Sequence, residues 1–176
     1  MKYATAYDEK AMARAAGIAL PISMKKTVEV CSFVRGKDVA KAIRLLDAVQ
    51  EEQVAIPFRK YAHGGTGHKP GSVGPGRYPK NVCAQVVKLL KQAQANAKVK
   101  GLDTAKLFIA AIVAKKAAKS WHFGRQRGRQ MKRTHIEVVV KEAEAAQKAK
   151  TAPKPAQAAP KAAQAQSQKT AKSEPQ

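Results

Sequence analysis

The sequence predicts an α+β domain followed by a basic appendage, and three observations predict it. Two stretches space their apolar residues by threes and fours, as helices do, and two others alternate along the chain, as strands do. From Ala145 onward the chain is mostly Ala, Lys, Pro and Gln, with no Leu, Ile, Val, Phe, Tyr or Trp to offset the entropy of ordering. The expected division is a folded domain over 1–144 and a disordered tail over 145–176. A chain of 176 residues suits one compact domain with an appendage and is short for a large enzyme.

Residues 1–23 carry Asp8, Glu9, Lys10 and Arg14 and lack the uninterrupted apolar core of a secretion signal. Ser23 to Arg35 supports two readings. Val28, Val30, Ser32 and Val34 alternate like a strand, while Ser23 could cap a helix bearing Val30, Phe33 and Val34. Gly36-Lys37-Asp38 then leads into Val39, Ile43, Leu46 and Val49, the stripe of a helix running to about Glu52. Pro79 opens a second helix striped by Val82, Val86, Leu89 and Ala93, and Gly101 is placed to end it. Leu107, Ile109, Ala111 and Val113 alternate with Phe108, Ala110 and Ile112, and Ile136, Val138 and Val140 alternate with Glu137 and Lys141. These two strands read as an extended hairpin over 114–135. If most of the intervening chain formed two arms of about eleven residues, each rising ~3.3 Å per residue, they would reach roughly 35 Å from the body.

Charge then narrows the function. Lys and Arg number 34 against 12 Asp and Glu, a net charge of +22 that calls for a polyanionic partner. The tail holds +5 of this, leaving +17 on residues 1–144. Between Glu52 and Glu137 eighteen cations face one acid, Asp103, and this stretch is the electrostatic footprint. By contrast, Asp38, Asp47, Glu51 and Glu52 mix with Lys37, Lys41 and Arg44, as on a solvated helix face. Cys31 and Cys83 have no C-x-x-C spacing, so they read as reduced, packed thiols of a cytosolic protein. The most apolar run, Leu107 to Ala114, is far short of the roughly 20 residues of a spanning helix, so no membrane is expected.

Two constellations carry chemistry. The first is the finger between the strands, with Lys115, Lys116, Lys119, Arg125, Arg127, Arg129, Lys132 and Arg133 and no acid. Alternating Arg125, Arg127 and Arg129 would line one side of an extended backbone for bidentate phosphate contacts. Trp121, His122 and Phe123 offer flat surfaces for unstacked bases, a mode of RNA recognition. The second is a basic Gly-rich insert over 53–80, carrying Arg59, Lys60, Tyr61, His63, Lys69, Arg77, Tyr78 and Lys80, whose bare backbone N–H groups could meet phosphates. The bland readings are a solvated loop and a mobile connector. Neither G-x-x-x-x-G-K-[ST] nor G-x-G-x-x-G is present, so no nucleotide cofactor is expected. His63 and His68 lack the Cys pair of a zinc centre, no metal is expected, and no catalytic triad follows from spacing.

The order of parts resembles a known family. Val34-Arg35-Gly36-Lys37, then Val54 to Tyr61, Gly74 to Lys80, Ala95-Asn96-Ala97 with Lys100 to Asp103, and Phe123-Gly124-Arg125 before His135 to Val140 are similar to the universal large-subunit ribosomal protein numbered twenty-two, in its archaeal and eukaryotic form. The older eukaryotic naming numbers it seventeen. The likeness covers about residues 11–142. It implies three helices packed on a small antiparallel sheet, a long protruding β-hairpin, a first helix over Ser23 to Arg35 and a short strand near Arg14 to Leu20 before it. It also implies a non-enzymatic protein, cytoplasmic in the ribosome, that binds large-subunit rRNA and aids its folding and assembly. Expected partners are that rRNA, neighbouring large-subunit proteins and the nascent polypeptide, whose exit tunnel the hairpin tip, Phe123-Gly124-Arg125, would reach. No small-molecule substrate or cofactor is implied. The family's finger usually has further Arg, Thr and Pro around its tip, and this finger is shorter. The runner-up function is a DNA-binding architectural protein, which would share the charge and the tail. A small nucleic-acid-processing enzyme would need metal-dependent turnover.

Overall fold

The computed structural model describes residues 3–63 and 66–142, and the tail expected over 145–176 lies outside them. The elements run β1 (Met12–Leu20), α1 (Met24–Val34), α2 (Val39–Gln50), β2 (Ile56–Pro57), β3 (His68–Lys69), β4 (Gly74–Arg77), α3 (Lys80–Val99), β5 (Leu107–Lys116) and β6 (Thr134–Glu142). This is the expected α+β fold of three helices and small antiparallel sheets. One sheet has the order β1-β6-β5 and the other β2-β4-β3.

Helical spacing wins over alternation between Ser23 and Arg35. Thr27, Val30, Cys31 and Val34 are buried, and Ser32 is exposed, which only a helix brings about. Ser23 sits at the N-cap, but its hydroxyl makes no cap bond; instead its carbonyl accepts from the Thr27 hydroxyl at 2.8 Å. Val39, Leu46 and Val49 of α2 and Val82, Val86, Leu89 and Ala93 of α3 are buried as their stripes require. Gly101, at φ +77°, ends α3 in the left-handed region that glycine enters at little cost. Its N–H bonds the Lys98 carbonyl, and that of Leu102 bonds the Ala97 carbonyl.

The helices cover one face of β1-β6-β5 and share a single core with it. Leu46, Leu90, Ile109, Ile112 and Ile136 are fully buried there, each contributing about 1.5–3 kcal/mol by leaving water. β1 meets α3 through small residues, Ala13, Ala15 and Gly17, and a methyl on Gly17 would lie 2.7 Å from Leu20 Cδ1 and 3.1 Å from Leu89 Cδ1. The alternation expected along β5 breaks at a bulge between Ile109 and Ala111, so burial passes from Leu107 and Ile109 to Ile112. The outer edge of β5 is closed by the turn after α1. Gly36 N–H donates to the Ile109 carbonyl at 3.0 Å, Ile109 N–H to the Lys37 carbonyl at 2.9 Å, and the Arg35 guanidinium to the Ile112 carbonyl at 3.1 Å. Such closure hides an edge that would otherwise pair with other chains.

Contacts around two residues, Glu137 and Ala19, fix the root of the hairpin. Glu137 on β6 is only 2% exposed; Lys115 Nζ lies 2.5 Å from its Oε1, and Ala4 N–H donates to its Oε2 at 3.0 Å. A buried carboxylate is tolerable because both oxygens are satisfied. Ala19, at φ +52°, sits where the register of β1 shifts. Its N–H donates to His135 Nδ1 at 3.1 Å and its carbonyl accepts from the Arg133 guanidinium at 3.0 Å, so a β6 residue and the residue just before β6 grip both backbone groups of a strained residue.

Candidate nucleic-acid interface

The basic insert is a small folded unit in its described residues. Gly76 in β4 is tightly packed, since a Cβ would lie 3.0 Å from Val73 Cγ1, 3.1 Å from Lys69 Cγ and 3.3 Å from the Ile56 carbonyl, so a side chain there would make its neighbours give way. Phe58 is buried and its N–H bonds the Pro75 carbonyl, while Gly76 N–H bonds the Gly67 carbonyl. These two amides therefore serve the insert's own fold. Lys69 Nζ stands 4.9 Å from the Tyr78 ring, and the Arg77 guanidinium 5.9 Å from the Phe58 ring. Arg59, Lys60 and His63 are exposed, and Tyr61 is half-buried with Lys25 and Lys60 ammonium groups each 5.9 Å from its ring. Lys80 pairs with Glu52 at 2.8 Å and holds that exposed carboxyl below its usual range.

The finger leaves the β5–β6 ladder at Lys116 and Thr134. Beyond it the arms pair loosely: Met131 N–H donates to the Ser120 carbonyl at 2.8 Å, His122 N–H to the Arg129 carbonyl at 2.9 Å, and Trp121 bridges Gln130. The tip does not run extended with three arginines on one side. Gly124, at φ +66°, opens a 3-10 turn over Gly124–Gln126, and Arg127 N–H and Arg129 N–H bond back to the Gly124 and Gln126 carbonyls. The strict side-to-side alternation of an extended backbone is therefore absent over Gly124–Gln126.

Of the residues singled out on the finger, Lys116, Lys119, Arg125, Arg127, Arg129 and Lys132 are exposed, and so are Trp121 (59%) and Phe123 (87%). His122 and Arg133 are half-buried, and Lys115 is committed to Glu137. Insert and finger cations are thus carried on separate elements. Sequence reasoning missed Glu29 and Glu137, two buried acids; the available signal was an acid amid buried positions of a basic chain. Among the described residues no three His, Cys, Asp or Glu gather as a metal cluster, and no helix is long and apolar enough to cross a membrane.

Fold and surface together define a class: a strongly cationic α+β protein whose charge is displayed on a rooted finger and a folded insert. The sequence model of the family "Ribosomal protein L22p/L17e" matches residues 15–141. The chain belongs to this family and is a structural ribosomal protein, located in the ribosome, and not an enzyme. It is 37% identical to the large ribosomal subunit protein uL22 of Staphylothermus marinus over 78% of this chain and 93% of that protein. The Methanococcus aeolicus uL22 is 32% identical over 81% of this chain and 97% of its own length, and that of Archaeoglobus fulgidus 40% identical over 62% and 71%.

Proposed function

We propose that this chain binds large-subunit rRNA through its finger and its insert, aids the folding of that RNA, and lends the finger tip to the wall of the nascent-peptide tunnel. As a member of its family it is a structural constituent of the large ribosomal subunit. The observation that carries the finer reading is the acid-free finger, with exposed Arg125, Arg127 and Arg129 beside exposed Trp121 and Phe123 on a hairpin rooted in the core. Guanidinium groups neutralise phosphates that would otherwise repel one another, and aromatic faces accept unstacked bases. Arg59, Lys60, Arg77 and Lys80 do the same from the insert. Neighbouring large-subunit proteins and the emerging polypeptide are the remaining partners.

Titration of the full chain with large-subunit rRNA fragments over a range of salt tests this. A log–log slope of several units is expected from counterion release. A flat dependence would count against the reading, and equal affinity for duplex DNA in competition would favour the architectural DNA-binding alternative.

A further inference from the structure

We infer that Glu29 is a positioning residue that holds the Arg59–Tyr61 turn in the form that meets RNA phosphates; this rests on the RNA-binding reading above. Glu29 lies on α1, is 4% exposed, and uses its two carboxylate oxygens on two backbone amides of the insert. Tyr61 N–H donates to Oε1 at 2.7 Å and Arg59 N–H to Oε2 at 3.3 Å. A buried carboxylate is costly unless satisfied, and charge-assisted bonds to amides are the strong kind.

The turn is thereby fixed at two places. Phe58 is sunk in the core with its N–H on the Pro75 carbonyl, and the amides of residues 59 and 61 close on Glu29. What remains outside is cationic: Arg59 and Lys60 are exposed, and the Lys25 and Lys60 ammonium groups flank Tyr61. A preset backbone leaves less freedom to lose when these side chains engage phosphates. The alternative is that Glu29 is a surplus acid near a phosphate-facing surface, and the two roles differ in sign. Removing a surplus acid strengthens binding to a polyanion, whereas removing an anchor weakens it.

The experiment compares full-length wild type, Glu29→Gln, Glu29→Ala, the pair Arg59→Ala with Lys60→Ala, and the combined variant, for rRNA-fragment affinity at fixed salt. Thermal melting and amide exchange at Tyr61 are followed alongside. Glu29→Ala should bind roughly fivefold to tenfold more weakly, the scale of ordering a few side chains on binding. Glu29→Gln, which keeps one acceptor, should fall between it and wild type, and the Tyr61 amide should exchange faster in both. Adding Glu29→Ala to the Arg59/Lys60 pair should cost little more, because the anchor acts through those cations. A Glu29→Gln protein that melts like wild type yet binds as well or better overturns the inference, as does full additivity in the combined variant. Failure of wild type to hold the RNA at all would overturn the RNA-binding reading, and the anchor's role with it.

Discussion

Cys31 and Cys83 lie in the core, and burial pushes each thiol up to about 12, the nearby Arg35 guanidinium only partly opposing this at Cys31. In the unfolded chain both ionise near their ordinary 9.0. The folded state therefore holds these protons more tightly, so the stability they contribute is complete below about 9 and is lost as pH rises towards about 12. Melting temperature should decline across that alkaline window, and a thiol reagent at about pH 8 should label neither cysteine until denaturant is added. Stoichiometric labelling of the folded protein would contradict the packing described. The same logic of satisfied burial governs Glu29 and Glu137, each with both oxygens occupied.

At the scale of elements, Arg125, Arg127 and Arg129 of the finger are exposed, and replacing them together by Ala should change stability by only ~0.5 kcal/mol per site or less. Thermal unfolding of the isolated chain checks this; a large loss would mean the tip braces the core. The root should behave differently, since Arg133 and His135 hold Ala19. The helices were legible because Val39, Leu46 and Val49, like Val82, Val86, Leu89 and Ala93, repeat a stripe that burial then confirms. For Ser23 to Arg35 the valine alternation competed with that stripe, and the family likeness, not periodicity, pointed to the helix. The phase of β5 was not legible, because the bulge falls at Ala110-Ala111, where side-chain size carries no signal. Nor was the insert sheet, whose strands of two to four residues are too short for a period to show. The candidate site was legible in composition, as cations without acids. Its geometry was not, since a 3-10 coil at Gly124 and an amide grip by a distant carboxylate leave no local pattern.

For the molecule as a whole, a charge of +22 sets stability and binding in opposition. Without RNA the cations repel one another, and added salt relieves this within a Debye length of ~10 Å at 0.1 M. Raising salt from about 0.05 M to about 0.5 M should therefore lift the melting temperature of the isolated chain by a few degrees while it weakens RNA affinity. A melting temperature that falls with salt would show that attractive ion pairs, not self-repulsion, dominate the folded state.

The sheet order β1-β6-β5 has a consequence for biosynthesis. Met12–Leu20 is made among the first residues, yet its only partner strand among the described residues is Thr134–Glu142. While a ribosome is still translating the intervening stretch, Ala13 and Ala15 have no β6 beside them, and the central strand needed by both edges is, among the described elements, the last to emerge. Completion of this domain is thus a late event, governed by the exit of its final strand and not by the early helices.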